Sequence, residues 1–379
     1  MFKKCIVIFI TTLLIVGTFG CNKQTSIEKD NWKIGLITSP LIANEDGYRS
    51  AEQMVKRYGK DRIIHKVFPV KFNLEQEAII DKITLMALDP NVKGIIIAQG
   101  IPGVTGAIDK IREKRNDLLI IVCSPGEDPD VIASKADIVL SRDTIGTASE
   151  ILEFANEKEA KTFVHYSFPR HMSYELLSQK RDILKRGCEK LGIKFIDAMI
   201  PDPGGESSIS GIEKFIIEDV PKNIEKYGKQ TIFYTTNYSV DKLLSTLVRK
   251  NEGIYPWCCL SPEHGFPQAL GIEIPKDKEG DIEYIIKETR GKISEKDMGG
   301  RMSVWAVSSE SAFVEVSVDY IKDYIDGKTN GKLDKEKIKK KLTEYLGGEV
   351  KLKELEYGGE KYENYILIIS DFIRGESHI

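Results

Sequence analysis

The chain has 379 residues, of which 41% are hydrophobic and 30% are charged, and its formal net charge is −3. Because typical domains have about 100–200 residues, this length predicts two lobes. The supply of apolar residues excludes global disorder, and the slightly acidic balance argues against nucleic acid as a partner. Six cysteines are too few for a disulfide scaffold in a chain of this length.

The first 21 residues have the pattern of an export signal. Lys3 and Lys4 precede an apolar run at 5–19, which is shorter than the roughly 20 residues that a membrane-spanning helix needs. Gly20 and Cys21 end this run, and a polar tether follows. The pattern resembles the lipobox of bacterial lipoproteins, which implies cleavage before Cys21 and acylation of that residue. An ordinary signal peptide with an incidental cysteine is the alternative.

Strand and helix patterns alternate along most of the chain. Short β-branched runs predict strands at 33–38, 63–67, 94–98, 118–122 and 137–140, and then at 162–166, 194–199, 231–234 and 253–257. Helical stripes lie between these runs, and Asn73 and Gln76 resemble a capping box at the start of one of them. Strands that alternate with helices predict an α/β class with doubly wound parallel sheets, one lobe ending near Leu140 and a second following it.

The C-terminal third has a different composition. Residues 272–300 are polar, and the segments after them predict a strand at 301–307, helices at 309–325 and 332–346, and two closing strands at 350–357 and 365–369. The helix at 332–346 is rich in lysine and has one apolar side, which is typical of a solvated amphipathic helix.

The layout resembles that of type I periplasmic binding proteins, the receptors for sugars, amino acids and nucleosides in bacterial import systems. The resemblance covers about 32–373, and the segments that carry it are 34–38 with the helix opening at 46–48, then 92–98, 303–328 and 362–367. It implies two doubly wound lobes with a hinge and an interlobe cleft. The chain is also similar to Gram-positive surface lipoproteins of this fold.

The resemblance further implies discontinuous domains, because such chains cross between their lobes three times. The crossings are expected near 142–146, 299–303 and 328–333. The predicted organisation is a signal peptide at 1–20, a tether at 21–31, a first lobe of 32–143 plus 301–328, and a second lobe of 144–300 plus 329–379.

Candidate ligand-binding residues follow from the rule that ligands of open α/β sheets bind outside the carboxyl ends of the strands. In the first lobe the candidates are Ser39, Asn44, Asp46, Gln99, Ser124 and Glu127. In the second lobe they are Ser167, Phe168, Arg170, Asp202, Asn237, Tyr238, Trp257 and Glu263. These amides, hydroxyls and charged groups give directional hydrogen bonds, and the aromatic rings can stack on a ligand. Turn chemistry for the serines and a core position for Trp257 are the alternatives.

The function that follows is a lipid-anchored receptor on the extracytoplasmic face of the cell membrane. It would bind a small polar solute (a nucleoside, a sugar or an amino-acid-like molecule) for import through an ABC-type permease or for sensing with a membrane partner such as a sensor kinase. No catalytic residue, cofactor or metal site is predicted, because the sequence lacks a P-loop, a nucleophile elbow and metal-ligand spacing. The alternative is an effector or sensor domain that acts on a regulatory partner, since LacI-type regulators share the fold. The signal segment disfavours a DNA-binding regulator.

Overall fold

Two α/β lobes make up the structure, a computed structural model that describes residues 31–203, 208–257, 265–278, 282–295, 300–305, 308–346, 350–369 and 372–373. The strands are β1 (Lys33–Thr38), β2 (Ile63–Val67), β3 (Val92–Ile97), β4 (Leu119–Cys123), β5 (Ile138–Arg142), β6 (Thr162–Ser167), β7 (Lys194–Met199), β8 (Thr231–Thr235), β9 (Val304–Trp305), β10 (Lys351–Tyr357), β11 (Glu360–Ile369) and β12 (Phe372–Ile373).

Helices connect most of these strands. They are α1 (Glu45–Tyr58), α2 (Gln76–Ala87), α3 (Val104–Arg112), α4 (Pro129–Lys135), α5 (Gly146–Glu157), α6 (Pro169–Met172), α7 (Glu175–Leu191), α8 (Ser208–Tyr227), α9 (Tyr238–Lys250), α10 (Gly265–Ala269), α11 (Ile282–Ile293), α12 (Ser309–Ile325) and α13 (Lys335–Leu346). Two short 3-10 turns lie at Phe72–Leu74 and Lys276–Lys278. In the described part of the chain, no helix is both long and apolar enough to cross a bilayer.

The first lobe is built on a seven-stranded sheet in the order β10-β11-β5-β4-β3-β1-β2. All neighbours are parallel except the β10–β11 hairpin. Alternate strand residues face opposite sides, so Leu36 and Ile96 pack beneath α1, α12 and α13, whereas Ile95 and Ile97 pack beneath α2 and α3. Both faces of the sheet are therefore buried, as the uninterrupted apolar run of β3 predicts.

The second lobe has a parallel sheet in the order β7-β6-β8, and an isolated parallel bridge from Ile232 to Ile254 extends it. Its core contains Trp257, Met302 and Trp305. β9 pairs antiparallel with β12. The segment around β9 thus belongs to the second lobe, and the chain returns to the first lobe at α12, which packs against α1 and β3.

The α/β class and the doubly wound layout are confirmed, and the strands predicted at 33–38, 63–67 and 194–199 have the bounds that the structure gives. The strand predicted at 253–257 is reduced to single bridges at Ile254 and Tyr255. The predicted capping box is wrong, because α2 begins at Gln76 and its N-cap residue makes no side-chain cap.

The predicted lobe boundaries need correction in the C-terminal third. The described residues 329–346 and 350–369 lie in the first lobe, because α13 packs on α12 and β11 pairs with β5. The apolar end of β11 explains why this segment joins the first lobe, because Tyr365 to Ile368 are buried next to β5 and cover that edge of the sheet. The later crossings accordingly fall between Trp305 and Ser308 and after Ile369. The predicted signal peptide and Cys21 lie outside the described residues.

Candidate functional site

A cleft lies between the carboxyl ends of the strands of the two lobes and encloses a cavity of about 180 Å³. The first lobe contributes the segments after β1, β2, β3, β4 and β5 and the start of α12, and the second lobe contributes those after β6, β7 and β8. This is the place that the rule for open α/β sheets predicts. Of the predicted residues, the cleft brings together Ser39, Asn44, Gln99, Ser124, Glu127, Arg170, Asn237 and Tyr238.

The other predicted residues do not line the cavity. Asp46, Ser167, Phe168 and Asp202 lie behind it as partners of lining residues. Trp257 is only 1% exposed and packs in the core of the second lobe, at 5.8 Å from Phe154 and 6.4 Å from Trp305 between ring centroids. We therefore correct its predicted role as a ligand platform. Glu263 lies outside the described residues.

Arg170 is fixed at the mouth of the second lobe. Its Nε and Nη2 donate to the two carboxylate oxygens of Asp202 at 2.9 and 3.0 Å, and Nη1 donates to the Tyr174 hydroxyl at 2.8 Å. The guanidinium also lies over the Phe168 ring and, across the cleft, over the Phe72 ring at 4.9 Å. Arginine provides this bidentate pairing with stacking and lysine does not. The pair with Asp202 holds the guanidinium within the second lobe, and its stack on Phe72 joins the two lobes.

The Tyr174 ring lies against a glycine of the opposite lobe. A Cβ atom built on Gly126 would lie 2.5 Å from the Tyr174 ring, a separation that real Cβ atoms essentially never show. Gly126 follows β4 in the first lobe, whereas Tyr174 precedes α7 in the second. The absence of a side chain at Gly126 therefore allows the two lobes to meet, and the structure represents a closed arrangement.

A second interlobe contact joins Tyr238 to Asp46. The Tyr238 hydroxyl is hydrogen-bonded to the Asp46 carboxyl, and Asp46 is buried whereas Tyr238 is half-buried. Burial, followed by the negative charge of Asp46, raises the pKa of Tyr238 well above its ordinary value. The hydroxyl therefore stays protonated at neutral pH and donates to the carboxylate.

A buried carboxylate lies at the floor of the cleft, at a position that the sequence did not indicate. Glu310 in the first turn of α12 accepts a hydrogen bond from Ser124 Oγ at 2.8 Å and another from the side chain of Asn44. Arg142, at the end of β5, places its Nη2 4.0 Å from Glu310 Oε1 and its guanidinium over the Trp305 ring. Arg142 could have been found by applying the strand-end rule to the fifth strand. Glu310 follows no sheet strand of the first lobe, so the rule passes over it.

Glu127 has a structural partner of its own. Its carboxylate accepts hydrogen bonds from the backbone N–H groups of Gly103 and Thr105 at 3.1 and 3.0 Å, and from the Thr105 hydroxyl at 3.0 Å. Gly103 is the N-cap of α3 and has no side chain to supply this cap. Glu127 therefore caps α3 from a neighbouring loop, and a ligand that contacts this carboxylate would share it with the helix.

His171 is a further cleft residue that the strand ends do not indicate, whereas its partner Thr236 directly follows β8, where the strand-end rule does predict a ligand-binding residue. His171 Nδ1 lies 2.9 Å from Thr236 Oγ1, which lies 2.9 Å from Ser167 Oγ. Burial and the neighbouring Arg170 lower the pKa of His171 well below its ordinary value. The imidazole is therefore neutral at pH 7 and acts as a hydrogen-bonding group.

The charged side chains of the cleft are arranged in compensated groups. Arg170 pairs with Asp202, Arg142 faces Glu310, Glu127 lies on the N-terminus of α3, and Glu175, which also lines the cleft, lies in the first turn of α7. Among the residues that the structure describes, no three His, Cys, Asp or Glu side chains are grouped so that they could hold a metal ion. What this arrangement offers a ligand is a set of hydroxyls, amides and aromatic rings inside a balanced charge environment.

Glu310→Gln is expected to stabilise the protein more strongly at neutral than at acidic pH. Burial raises the pKa of the Glu310 carboxyl. The stability linked to this group is therefore complete below its unfolded pKa of about 4.3 and is lost as the pH rises through the folded value. Urea unfolding of both proteins at about pH 4 and about pH 7 measures the difference. An equal effect of the substitution at both pH values would contradict the assignment.

Comparison with known proteins gives a family and a fold. The family model described as "Protein of unknown function (DUF3798)" matches residues 32–303. An uncharacterised protein of Treponema pallidum (strain Nichols) is 36% identical over 169 residues, which cover 45% of this chain and 78% of that protein.

Solved structures match over most of the chain. A protein of Clostridium difficile 630, provisionally named a transcriptional regulator, aligns with a TM-score of 0.67 at 21% identity, covering 91% of this chain and 99% of the other. A periplasmic solute-binding protein of an ABC transporter from Actinobacillus succinogenes 130z, with bound D-allose, aligns with a TM-score of 0.52 at 15% identity, covering 82% and 99%. These similarities show the type I periplasmic binding protein-like fold.

Proposed function

The chain belongs to the DUF3798 family of proteins of unknown function, and we propose that it is a receptor whose two lobes close on a small, uncharged polar solute such as a sugar or a polyol. The observation that carries this proposal is the cleft itself. Polar side chains from strand ends of both lobes surround a cavity of about 180 Å³, and interlobe contacts close it. The receptor role includes no catalytic step.

The size of the cavity favours a compact ligand. Pockets for drug-sized molecules enclose about 300–1,000 Å³, so a cavity of about 180 Å³ suits a single small ring or a short chain. Phe72 and Tyr174 offer ring faces, and Gln99 and Asn237 offer amides that can both donate and accept.

The charge balance of the cleft favours a neutral ligand. Arg170 and Arg142 each have a carboxylate close by, at 2.9 and 4.0 Å. An anionic or zwitterionic ligand would have to compete with these carboxylates or bury additional charge, which is costly in a closed site. A hydroxylated neutral ligand needs only hydrogen-bonding groups. The D-allose bound by the solute-binding protein of Actinobacillus succinogenes belongs to that class.

The cellular setting is part of the proposal. The N-terminal pattern supports export and acylation at Cys21, which would hold the receptor on the extracytoplasmic face of the membrane. There the closed form would be recognised by a permease for import or by a sensory membrane protein. A ligand shifts the equilibrium towards the closed form only through contacts that it makes in that form alone, to which side chains of both lobes contribute.

One comparison favours a second candidate function. The Clostridium difficile protein that matches with a TM-score of 0.67 carries a provisional name as a transcriptional regulator. A ligand-sensing effector domain that acts on a regulatory partner would use the same cleft and the same closure. The two functions differ in their partner, so pull-down of either a permease or a regulatory protein with the ligand-loaded chain separates them.

A thermal-shift panel tests the ligand class. We expect neutral hexoses or polyols to raise the unfolding temperature, and nucleosides, hexose phosphates and amino acids to leave it unchanged. A ligand at a hundredfold excess over its Kd adds about 2.7 kcal/mol of apparent stability. Stabilisation by an amino acid would overturn the neutral-ligand argument. No stabilisation by any compound would favour a protein-interaction role over a receptor.

A further inference from the structure

A small apolar patch lies at the end of the first lobe that is farthest from the cleft. Leu85 in the last turn of α2 and Leu88 just after it are 62% and 64% exposed. Beside them lies a hollow of about 340 Å³ lined by Ala87, Leu88, Pro90, Lys114, Arg115 and Asp117. We call Leu85, Leu88 and the residues of this hollow the amino-end face, because it surrounds the amino ends of the parallel strands.

The chain enters the fold at this same face. The Lys33 backbone N–H, at the start of β1, donates to the Asn91 carbonyl at 2.8 Å, and Lys33 Nζ pairs with Asp89 at 2.7 Å. Asp89 and Asn91 belong to the loop that begins with Leu88. The predicted anchor at Cys21 precedes Asn31 by ten residues, which span at most about 35 Å when fully extended. The exposed leucines are therefore close to the point at which the tether leaves the lobe.

The charges around the patch are compatible with anionic lipid headgroups. Four cations lie in or next to the amino-end face (Lys33, Lys93, Lys114 and Arg115), and the neighbouring acidic side chains are three (Asp89, Glu113 and Asp117). These seven side chains thus have an excess of one positive charge, although the whole chain has a net charge of −3. Exposed leucines bordered by basic residues are the combination that binds at a bilayer interface.

The geometry points to the amino-end face as a membrane-contact surface, with Leu85 and Leu88 entering the headgroup region of an anionic bilayer. The inference rests on the anchor proposed above. In this orientation the first lobe lies on the membrane and the cleft is directed away from it, so a membrane partner would contact the closed form through a part that extends beyond the bilayer. The protein thereby has a fixed orientation, which an acylated cysteine on a free tether would not impose.

Photocrosslinking to lipid tests this orientation in the full chain. The benzophenone amino acid p-benzoylphenylalanine is placed at position 85, 88 or 191, and each protein is incorporated through its N-terminal anchor into vesicles of phosphatidylcholine and radiolabelled phosphatidylglycerol. Leu191 is the matched control, because it is also an exposed leucine (42%) at the C-terminal end of a helix, but on the amino-end side of the second lobe. We expect lipid labelling at 85 and 88 to exceed that at 191 severalfold.

A second pair of proteins tests the two leucines themselves. The probe is moved to Lys93, and labelling is compared with and without Leu85→Glu plus Leu88→Glu. We expect the double substitution to abolish most labelling at 93 while the protein stays anchored. Since both leucines are exposed, unchanged thermal unfolding of the double variant shows that the fold is intact.

The outcomes separate this inference from the receptor proposal. Equal labelling at 85, 88 and 191 in anchored protein overturns the contact surface but leaves the anchor and the cleft unaffected. Crosslinking of 85 or 88 to a protein instead of lipid in cell membranes also overturns it. Wild-type protein that washes off membranes refutes the anchor and this inference together. Cys21→Ala, in contrast, is expected to wash off. Ligand binding by the same preparation is measured separately by thermal shift.

Discussion

Gly126→Ala is expected to prevent the lobes from closing as they do in the structure and to weaken ligand binding. The new Cβ would lie 2.5 Å from the Tyr174 ring, and that ring is held in place by the hydrogen bond from Arg170 to its hydroxyl. Introducing a methyl group into such a contact costs about 1–3 kcal/mol. In a closing equilibrium this corresponds to a loss of about fivefold to 150-fold in apparent affinity.

Small-angle scattering and ligand titration measure this effect together. The radius of gyration of Gly126→Ala should exceed that of the wild-type protein in the presence of ligand. Gly106→Ala is the matched control, because a Cβ at Gly106 in α3 meets only Ile80 Cδ1 at an ordinary 3.7 Å. If both variants bind ligand equally and scatter alike, the Tyr174–Gly126 contact does not control closure.

The position of the cleft was predictable from the sequence because it depends on strand order alone. Ser39, Gln99 and Ser124 each follow a strand with an uninterrupted apolar run, and parallel pairing then brings all three to one edge of the sheet. No long-range contact had to be known for this step. The same reasoning located Asn237 at the end of β8 in the second lobe.

The electrostatics of the cleft could not be predicted in this way. Arg170 and Asp202 are 32 residues apart and Arg142 and Glu310 are 168 apart, so their pairing depends on how loops and the returning α12 meet. Glu127 shows the same difficulty, since its partner is the N-terminus of a helix whose N-cap is a glycine. Strand ends indicate which side chains are near a ligand, but they do not indicate which of them already bond to another group of the protein.

The C-terminal segment shows a related difficulty for the lobe boundaries. An apolar run such as that of β11 can complete either sheet, and the alternation of strands and helices does not decide between them. Its pairing with β5 is selected by the burial of Tyr365 to Ile368, which depends on contacts more than 200 residues apart in the chain. The hairpin was thus predicted as an element and assigned to the wrong lobe.

Trp257→Ala is expected to lower the free energy of unfolding by about 3–5 kcal/mol, the cost of removing a large aromatic side chain from a packed core. The indole is 1% exposed and lies between Phe154 of α5 and Trp305 of β9, so its loss opens a cavity where two segments of the second lobe meet. Because Trp257 does not line the cleft, the fraction of protein that remains folded should bind ligand with unchanged affinity. Urea unfolding and titration at low temperature measure the two quantities.

Phe72→Ala provides the reciprocal control for this prediction. Phe72 lines the cleft, is half-buried and lies over Arg170 across the lobes. Its truncation should weaken ligand binding while costing much less stability than Trp257→Ala, because no enclosed cavity is created. A loss of affinity in Trp257→Ala with little change in stability would restore the tryptophan as a ligand platform. The expected pair of results is lost stability with unchanged affinity in Trp257→Ala, and lost affinity with little lost stability in Phe72→Ala. That pair would show that Trp257 supports the core of the second lobe, whereas Phe72 at the mouth of the cleft contacts the ligand.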